Sequence, residues 1–333
     1  DRRDQVGSVR EADAAAVEHA LQHAAACAAT WAQTAPGERA AVLLRAADLL
    51  EANCVPLLSL CIREAGKTWG NALSEVREAV DFCRYYGQQL LMGDFQGSEA
   101  PGPVACISPW NFPLAIFIGE VSAALAAGSP VIAKPAEQTP LIAAFAVELL
   151  YQAGIPREVL QFLPGRGETV GAALTADARV RGVVFTGSTE VARLINQSIA
   201  PRAGVRLIAE TGGQNAMIVD SSALPEQVVQ DVLVSGFDSA GQRCSALRVL
   251  CLQEDIADRV LAMLKAAMQE LAIGDPALLA TDIGPVIDEE PQAGLLAHIE
   301  RMRAKGRAVF QLPLPAECAA GCFVPPTLID IDS

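Results

Sequence analysis

The sequence predicts an α/β fold in two parts, a helical N-terminal region leading into a parallel sheet, and then a second α/β domain. Three observations carry this. The opening segment repeats apolar side chains at helical spacing. From Val104 onward, short β-rich runs alternate with helical runs, an order that sets parallel strands side by side with helices on both faces, a Rossmann-type arrangement. The same alternation resumes around a polar loop that holds Cys244. The boundary between the parts falls near Ile208, giving residues 1–208 and 209–333.

Taken in order, Glu11 to Trp31 is Ala-rich, with strong helix propensity. Pro36-Gly37 reads as a turn. Glu38 to Asn53 carries Val42, Leu43, Ala46, Leu49 and Leu50 as one helical stripe. Pro56 to Glu64 is a third helix, ended at Gly66, and Thr68 to Leu90 a fourth. The alternating region then pairs strand Val104–Ile107 with helix Leu114–Ala127, and Val131–Ala133 with Pro140–Gln152. Leu160–Phe162 goes with Glu168–Leu174, and Val183–Phe185 with Thr189–Ile199. Val205–Ala209 and Ala216–Val219 open the second part. There, helix Leu224–Phe237 precedes the cysteine loop, and strand Val249–Leu252 and helix Asp255–Leu271 follow it. A helix near Leu295–Arg303 leads to short runs at Val309–Leu312 and Phe323–Leu328.

Bulk properties narrow the function. With 333 residues, 51% hydrophobic and 19% charged, the chain can bury a sizeable core and is not of disordered composition. A net charge of −14 with no Lys/Arg cluster argues against nucleic acid as the partner. Nine cysteines, an odd number without regular spacing, suit a reducing cytoplasm rather than a disulfide framework. No apolar run is long enough to span a membrane; Phe112 to Gly128, the longest candidate, is broken by Glu120. There is no signal peptide at the start, and the absence of an initiator Met suggests a piece of a longer chain.

Several stretches carry candidate chemistry. Cys244 lies in Phe237-Asp-Ser-Ala-Gly-Gln-Arg-Cys-Ser-Ala-Leu-Arg248, a short polar loop between a helix and a strand, directly after Arg243. A reactive thiolate needs such a setting, with exposed N–H groups, a nearby cation and room for a substrate; alone, it is also an ordinary loop cysteine. Ser108-Pro-Trp-Asn-Phe-Pro113 holds Asn111 on a stiff turn after a strand, where its amide can donate to an oxyanion or simply shape the turn. Glu210 stands at a strand end before Gly212 and Gly213, a place for a general base or for a plain strand-terminating Glu. Lys134 and Glu137 follow a strand and can face a ribose diol; a carboxylate there disfavours a 2′-phosphate, hence NAD over NADP. Phe185-Thr-Gly-Ser188 runs from a strand into a helix and suits a pyrophosphate, or an ordinary turn. Gly165-Arg-Gly-Glu-Thr-Val-Gly171 misses the dinucleotide fingerprint by one residue.

Other groups read as bystanders. His19 and His23 are one helical turn apart with no third ligand type beside them, so no metal site is expected. Cys318 and Cys322 lack a partner pair for zinc, and Cys27, Cys54, Cys61 and Cys83 read as small core residues.

Five stretches fall in one order: Pro109-Trp-Asn-Phe-Pro113, Lys134-Pro-Ala-Glu137, Phe185-Thr-Gly-Ser-Thr-Glu-Val191, Glu210-Thr-Gly-Gly213 and Gly241-Gln-Arg-Cys244. In them the chain resembles the aldehyde dehydrogenase superfamily over essentially its whole length. Through Lys134–Pro140, Glu210–Asp220 and Phe237–Leu252 it is most similar to the L-glutamate γ-semialdehyde dehydrogenase module of bacterial proline utilization A. The resemblance implies an aldehyde dehydrogenase-like fold and NAD-dependent oxidation of L-glutamate γ-semialdehyde to L-glutamate, a step of proline catabolism. It implies Cys244 as nucleophile, Asn111 with the Cys244 N–H as oxyanion donors, and Glu210 as the base that activates water. It implies a cofactor site from Ile107, Ser108, Pro109, Trp110, Lys134, Glu137, Gly167, Gly171, Phe185, Thr186, Gly187, Ser188, Glu210, Thr211 and Gly212, and substrate contacts from Glu78, Phe112, Arg243 and Ser245.

The resemblance also implies that the family's segment for the nicotinamide ribose, its substrate-carboxylate loop and its oligomerisation strand lie beyond residue 333. The second domain is then incomplete at its C-terminus, and a proline dehydrogenase domain in the parent chain is an expected partner, as is an oligomer. Rival readings are another aldehyde substrate, an inactive fragment that binds NAD or a partner, and a thiol hydrolase using Cys244 and Glu210; the βα layout and the Lys134/Glu137 pair argue against the last.

Overall fold

A computed structural model describes residues 5–93 and 97–331. The chain forms two compact units. One comprises Val6–Ala65 and Ala72–Thr211; the other comprises Gln5, Gly66–Asn71 and the chain from Gly212 on. The division near Ile208 therefore falls three residues later, between Thr211 and Gly212.

The first unit opens on helices α1 (Ala14–Gln33), α2 (Pro36–Ala52) and α3 (Cys54–Ala65) and holds most of α4 (Trp69–Met92). Asp13 caps α1, its Oδ1 accepting from Ala16 N at 2.8 Å. Pro36-Gly37 is not a turn but the start of α2, because proline's missing N–H costs nothing in a first helical turn.

Five parallel strands follow: β1 (Val104–Ile107), β2 (Val131–Lys134), β3 (Leu160–Phe162), β4 (Gly182–Gly187) and β5 (Arg206–Thr211). Their spatial order is β3-β2-β1-β4-β5. Side chains alternate across the sheet, and each face has its own core. Val104, Cys106, Val131, Ala133 and Leu160 pack with α2 to α4 and with helices α5 (Ala115–Ala126) and α6 (Pro140–Gln152). Ala105, Ile107, Ile132, Val183 and Phe185 pack with α1 and with α7 (Ala172–Ala176) and α8 (Thr189–Ile199). Burial on both faces is why β1 is apolar throughout and β2 is apolar up to its last residue, Lys134.

Two expectations change here. The strand expected at Val205–Ala209 does not open the second part; as β5 it pairs with β4 and forms the edge of the first sheet. The helix expected from Glu168 begins as a wide π-type turn, Gly167–Gly171, before α7.

In the second unit, β6 (Asn215–Val219) and β7 (Leu247–Leu252) are parallel and joined by α9 (Pro225–Phe237). Val228, Val229 and Val232 of α9 meet Val260, Leu264 and Met268 of α10 (Glu254–Gln269) in a separate core. Helix α11 (Glu289–Ala304) and the antiparallel pair β8 (Val309–Gln311) and β9 (Thr327–Ile329) complete it. Among the described residues no helix is long and apolar enough to cross a membrane.

Candidate active site

Strands β1 and β4 are neighbours, but the chain leaves them in opposite directions, through β2 and β3 on one side and β5 on the other. Such a switch point opens a crevice at the carboxyl ends of the two strands. The stretches after β1, β2 and β4 and the end of β5 all lie at that edge of the sheet.

After β1, Ser108 is buried and its N–H donates to Lys134 O at 3.2 Å, carrying the β1–β2 pairing one residue further. Pro109 is buried, and Trp110, Asn111 and Phe112 are half-buried in the turn that leads to α5. Buried Glu75 of α4 fixes that turn from behind. Its Oε2 accepts from Leu114 N at 3.2 Å and Ala115 N at 2.9 Å, satisfying first-turn donors of α5. Glu78, on the same helix, is exposed.

After β2, Lys134 is buried. Its Nζ donates to Pro135 O at 3.0 Å and to Glu137 Oε1 at 3.2 Å, and the same oxygen accepts from Gly167 N at 2.5 Å. Burial raises the Glu137 pKa, but the Lys134 charge and hydrogen bonds from Lys134 and the backbone outweigh it and hold the carboxyl below its ordinary range. The stretch that misses the fingerprint is thus tied to this pair. A Cβ at Gly167 would stand 3.7 Å from Glu137 Oε1, and one at Gly171 would stand 3.9 Å from Lys134 Cδ. An ammonium donor and an ionised acceptor beneath side-chain-free backbone fit a ribose diol.

After β4, Phe185 is buried, and Gly187 has no room for a side chain because a Cβ would come within 2.5 Å of the Phe185 ring. Ser188 caps α8, its Oγ accepting from Val191 N at 3.2 Å. The start of α8, with its positive dipole end, suits a pyrophosphate. Thr186 Oγ1 donates to Glu120 Oε1 at 2.8 Å. Glu120 is buried in α5, and burial pushes its carboxyl well above the ordinary value of 4.5 despite that bond. Glu210 and Thr211 lie within β5, in register with Thr186 and Gly187, and Glu210 is exposed.

In the second unit Cys318 is buried, as are Cys61, Cys83 and Cys106 of the first unit, whereas Cys244 is exposed and Cys251 is exposed near the end of β7. Gly212 is exposed here too, before β6. The loop reaches Cys244 through an unusual turn. Ser239 (φ 55°), Ala240 (φ 54°) and Gly241 (φ 69°) are left-handed in succession. Left-handed backbone costs an L-residue roughly 1–2 kcal/mol, so this turn needs support. Arg248 Nη2 donates to Gly241 O at 2.7 Å, and Gln242 Nε2 donates to Ser239 O at 3.1 Å. Asn215 Nδ2 donates to Cys244 O at 2.7 Å and to Ala246 O at 3.0 Å. Asp238 Oδ1 accepts from Ser239 N at 2.9 Å and Oδ2 accepts from Arg243 Nη2 at 2.7 Å. Half-buried Arg243 also donates to Asn71 Oδ1, so its Nη2 is engaged inside the loop, while Ser245 is exposed.

The first unit thus brings together Ile107 through Phe112, Lys134, Glu137, Gly167, Gly171, Phe185 through Ser188, Glu210 and Thr211. The second carries Gly212, Arg243, Cys244 and Ser245. Sequence reasoning missed Glu75, Glu120, Asn71, Asn215 and Asp238. Of these, Asn215 and Asp238 lay inside quoted motifs, and Glu120 was visible as a lone charge in an apolar run.

The switch point of the first unit with its paired ammonium and carboxylate, and the exposed cysteine on a braced loop in the second, are each features of an α/β chain of the dehydrogenase kind. The chain belongs to the aldehyde dehydrogenase family, whose sequence profile matches residues 2–332. It is 60% identical to the bifunctional protein PutA of Klebsiella aerogenes over 99% of its own length and 26% of that protein's. It is 36% identical to the 1-pyrroline-5-carboxylate dehydrogenase of Geobacillus kaustophilus, covering 98% of this chain and 67% of the relative. A solved 1-pyrroline-5-carboxylate dehydrogenase from Thermus with bound NAD superposes with a TM-score of 0.88 at 34% identity, covering 96% of this chain and 65% of that one. The chain spans about a quarter of the length of the PutA proteins it matches.

Proposed function

We propose that this chain oxidises L-glutamate γ-semialdehyde, the open form of 1-pyrroline-5-carboxylate, to L-glutamate, using NAD, and that it is the aldehyde-oxidising part of a bifunctional protein. The exposed Cys244 on a loop whose carbonyls are tied down by Asn215, Gln242 and Arg248 carries the reading. The identity to 1-pyrroline-5-carboxylate dehydrogenases supports the substrate, and the identity to PutA supports a proline dehydrogenase domain as partner. We assign the cofactor to the 1–208 part and the nucleophile to the 209–333 part.

In this reading the Cys244 thiolate adds to the aldehyde carbon, and the carbonyl oxygen becomes an oxyanion held by the Asn111 amide and the Cys244 N–H. Lys134 and Glu137 hold the adenosine ribose, and Gly187, Ser188 and the start of α8 hold the pyrophosphate. NAD, when bound, supplies the hydride acceptor. The acyl group is then a thioester on Cys244 Sγ. Glu210 takes a proton from water, which attacks the thioester carbon and releases the acid and the thiolate. Phe112 packs on the substrate's aliphatic part, and Glu78 and Ser245 supply polar contacts.

Replacing Cys244 tests this. Cys244→Ala should abolish both NADH formation from the semialdehyde and any ester hydrolysis. Turnover retained in that variant would refute the nucleophile.

A further inference from the structure

We propose that Asp238, Arg243 and Asn71 form a closed hydrogen-bonded ring that positions the Cys244 loop, with Arg243 acting as a brace of the nucleophile turn rather than as an anchor for the substrate. The inference rests on the reading of Cys244 as the nucleophile, and it concerns residues of the second unit alone. Asp238 Oδ2 accepts from Arg243 Nη2 at 2.7 Å, Arg243 Nη2 donates to Asn71 Oδ1, and Asn71 Nδ2 donates to Asp238 Oδ1 at 2.6 Å. Each side of the ring fixes the next. Asn71 stands between a carboxylate and a guanidinium, so its amide has one orientation only, nitrogen toward Asp238 and oxygen toward Arg243. Thr68 Oγ1 accepts the other Nδ2 hydrogen at 2.8 Å, and both Asn71 and Thr68 are buried.

The ring sits where the backbone most needs holding. Asp238 is the residue before the left-handed run, and its Oδ1 also accepts from Ser239 N at 2.9 Å. Arg243 is the residue before Cys244. One carboxylate therefore grips the first N–H of the turn with one oxygen and the side chain at its exit with the other. The run Ser239-Ala240-Gly241 between them cannot relax to right-handed backbone without breaking that grip. Gln242 and Arg248 secure the Ser239 and Gly241 carbonyls within the run, and Asn215 the Cys244 and Ala246 carbonyls beyond it, but none of these bonds ties the residue before the run to the residue before Cys244. Ring and turn are one device, and its output is the position of Cys244.

A brace and an anchor respond differently to substitution. Asp238→Asn weakens the ring while leaving the Arg243 charge in place. We expect it to lower kcat about tenfold for L-glutamate γ-semialdehyde and equally for an uncharged aldehyde such as propanal, with the ratio of their KM values unchanged. Arg243→Gln should match it, Arg243→Lys should recover part of the rate, and the Asp238→Asn/Arg243→Gln double variant should be no worse than either single one. Hydrogen exchange in the 238–246 peptide of the full-length protein should speed up at least fivefold in both single variants, a readout independent of turnover and informative even if Cys244 proves not to be the nucleophile. The proposal is overturned if Asp238→Asn leaves kcat and exchange unchanged. It is equally overturned if Arg243→Gln raises KM for the semialdehyde alone, which is the behaviour of an anchor.

Discussion

Glu75→Ala should destabilise the first unit far more than an ordinary helix-surface substitution. The carboxylate is 1% exposed and accepts from Leu114 N and Ala115 N, two donors at the start of α5 whose residues are themselves fully buried. A hydrogen bond to a charged acceptor contributes about 1.5–3 kcal/mol, and a buried donor left without a partner costs about 1–3 kcal/mol. Because both bonds end on one oxygen they are not additive, and the expected loss is roughly 3–4 kcal/mol. In a domain of this size that lowers Tm by about 10 °C. Urea titration followed by circular dichroism and tryptophan fluorescence measures it. Glu75→Gln keeps an acceptor oxygen and should recover at least half. A Glu75→Ala protein within about 1 kcal/mol of the parent would refute the capping argument. Because the turn that leads into α5 holds Asn111, four residues before Ala115, the same variant should also lose turnover under conditions where it remains folded.

Three other outcomes follow from the same geometry. Glu137→Ala removes the acceptor beside Lys134, so the ratio of kcat/KM for NAD over NADP should fall at least tenfold; an unchanged ratio would remove Glu137 from the ribose site. Gly241→Ala puts a Cβ 2.9 Å from Gly236 O at φ 69°, and should cost about 2 kcal/mol or more in the second unit, read as a lowered urea midpoint. Glu120→Gln should gain stability over the parent as pH rises from the ordinary carboxyl value of 4.5 toward neutrality. In the folded parent the carboxyl keeps its proton above 4.5 while the unfolded chain releases it, so parent stability falls by up to roughly 1.4 kcal/mol per pH unit through that window; parallel pH curves would contradict this.

The parallel sheet was legible because its central strands are buried on both faces and so read as unbroken apolar runs, as in Val131-Ile-Ala133. Its edge was less so. β5 is exposed along most of its length, and its polar end hides the fact that Glu210 and Thr211 still pair with β4. Pro36 misled because proline marks both turns and first helical positions, and the sequence shows no cap to decide between them. The residues proposed to bear the chemistry were visible as motifs. Those that hold them were not, because a Glu within a helix or an Asp after one is ordinarily solvated. Only folding brings Glu75 to an N–H 39 residues away, or Asp238 to an amide 167 residues away.

The N-terminal helices gain a role from this pattern. Glu64, near the end of α3, accepts from Leu141 N at 2.7 Å and Ile142 N at 2.9 Å, and so does for α6 what Glu75 of α4 does for α5. Pro140 at the head of α6 has no N–H to offer, so Leu141 and Ile142 supply the first donors of that helix. The two capped helices are those that follow β1 and β2, and the two turns that enter them carry Asn111 and the Lys134/Glu137 pair. A carboxylate at a helix N-terminus meets both the unsatisfied N–H groups and the positive end of the dipole, so it fixes where the helix begins. Where α5 and α6 begin decides where the preceding turns end. The helical layer, which carries only one of the candidate chemical groups, thus sets the positions of two stretches that carry several.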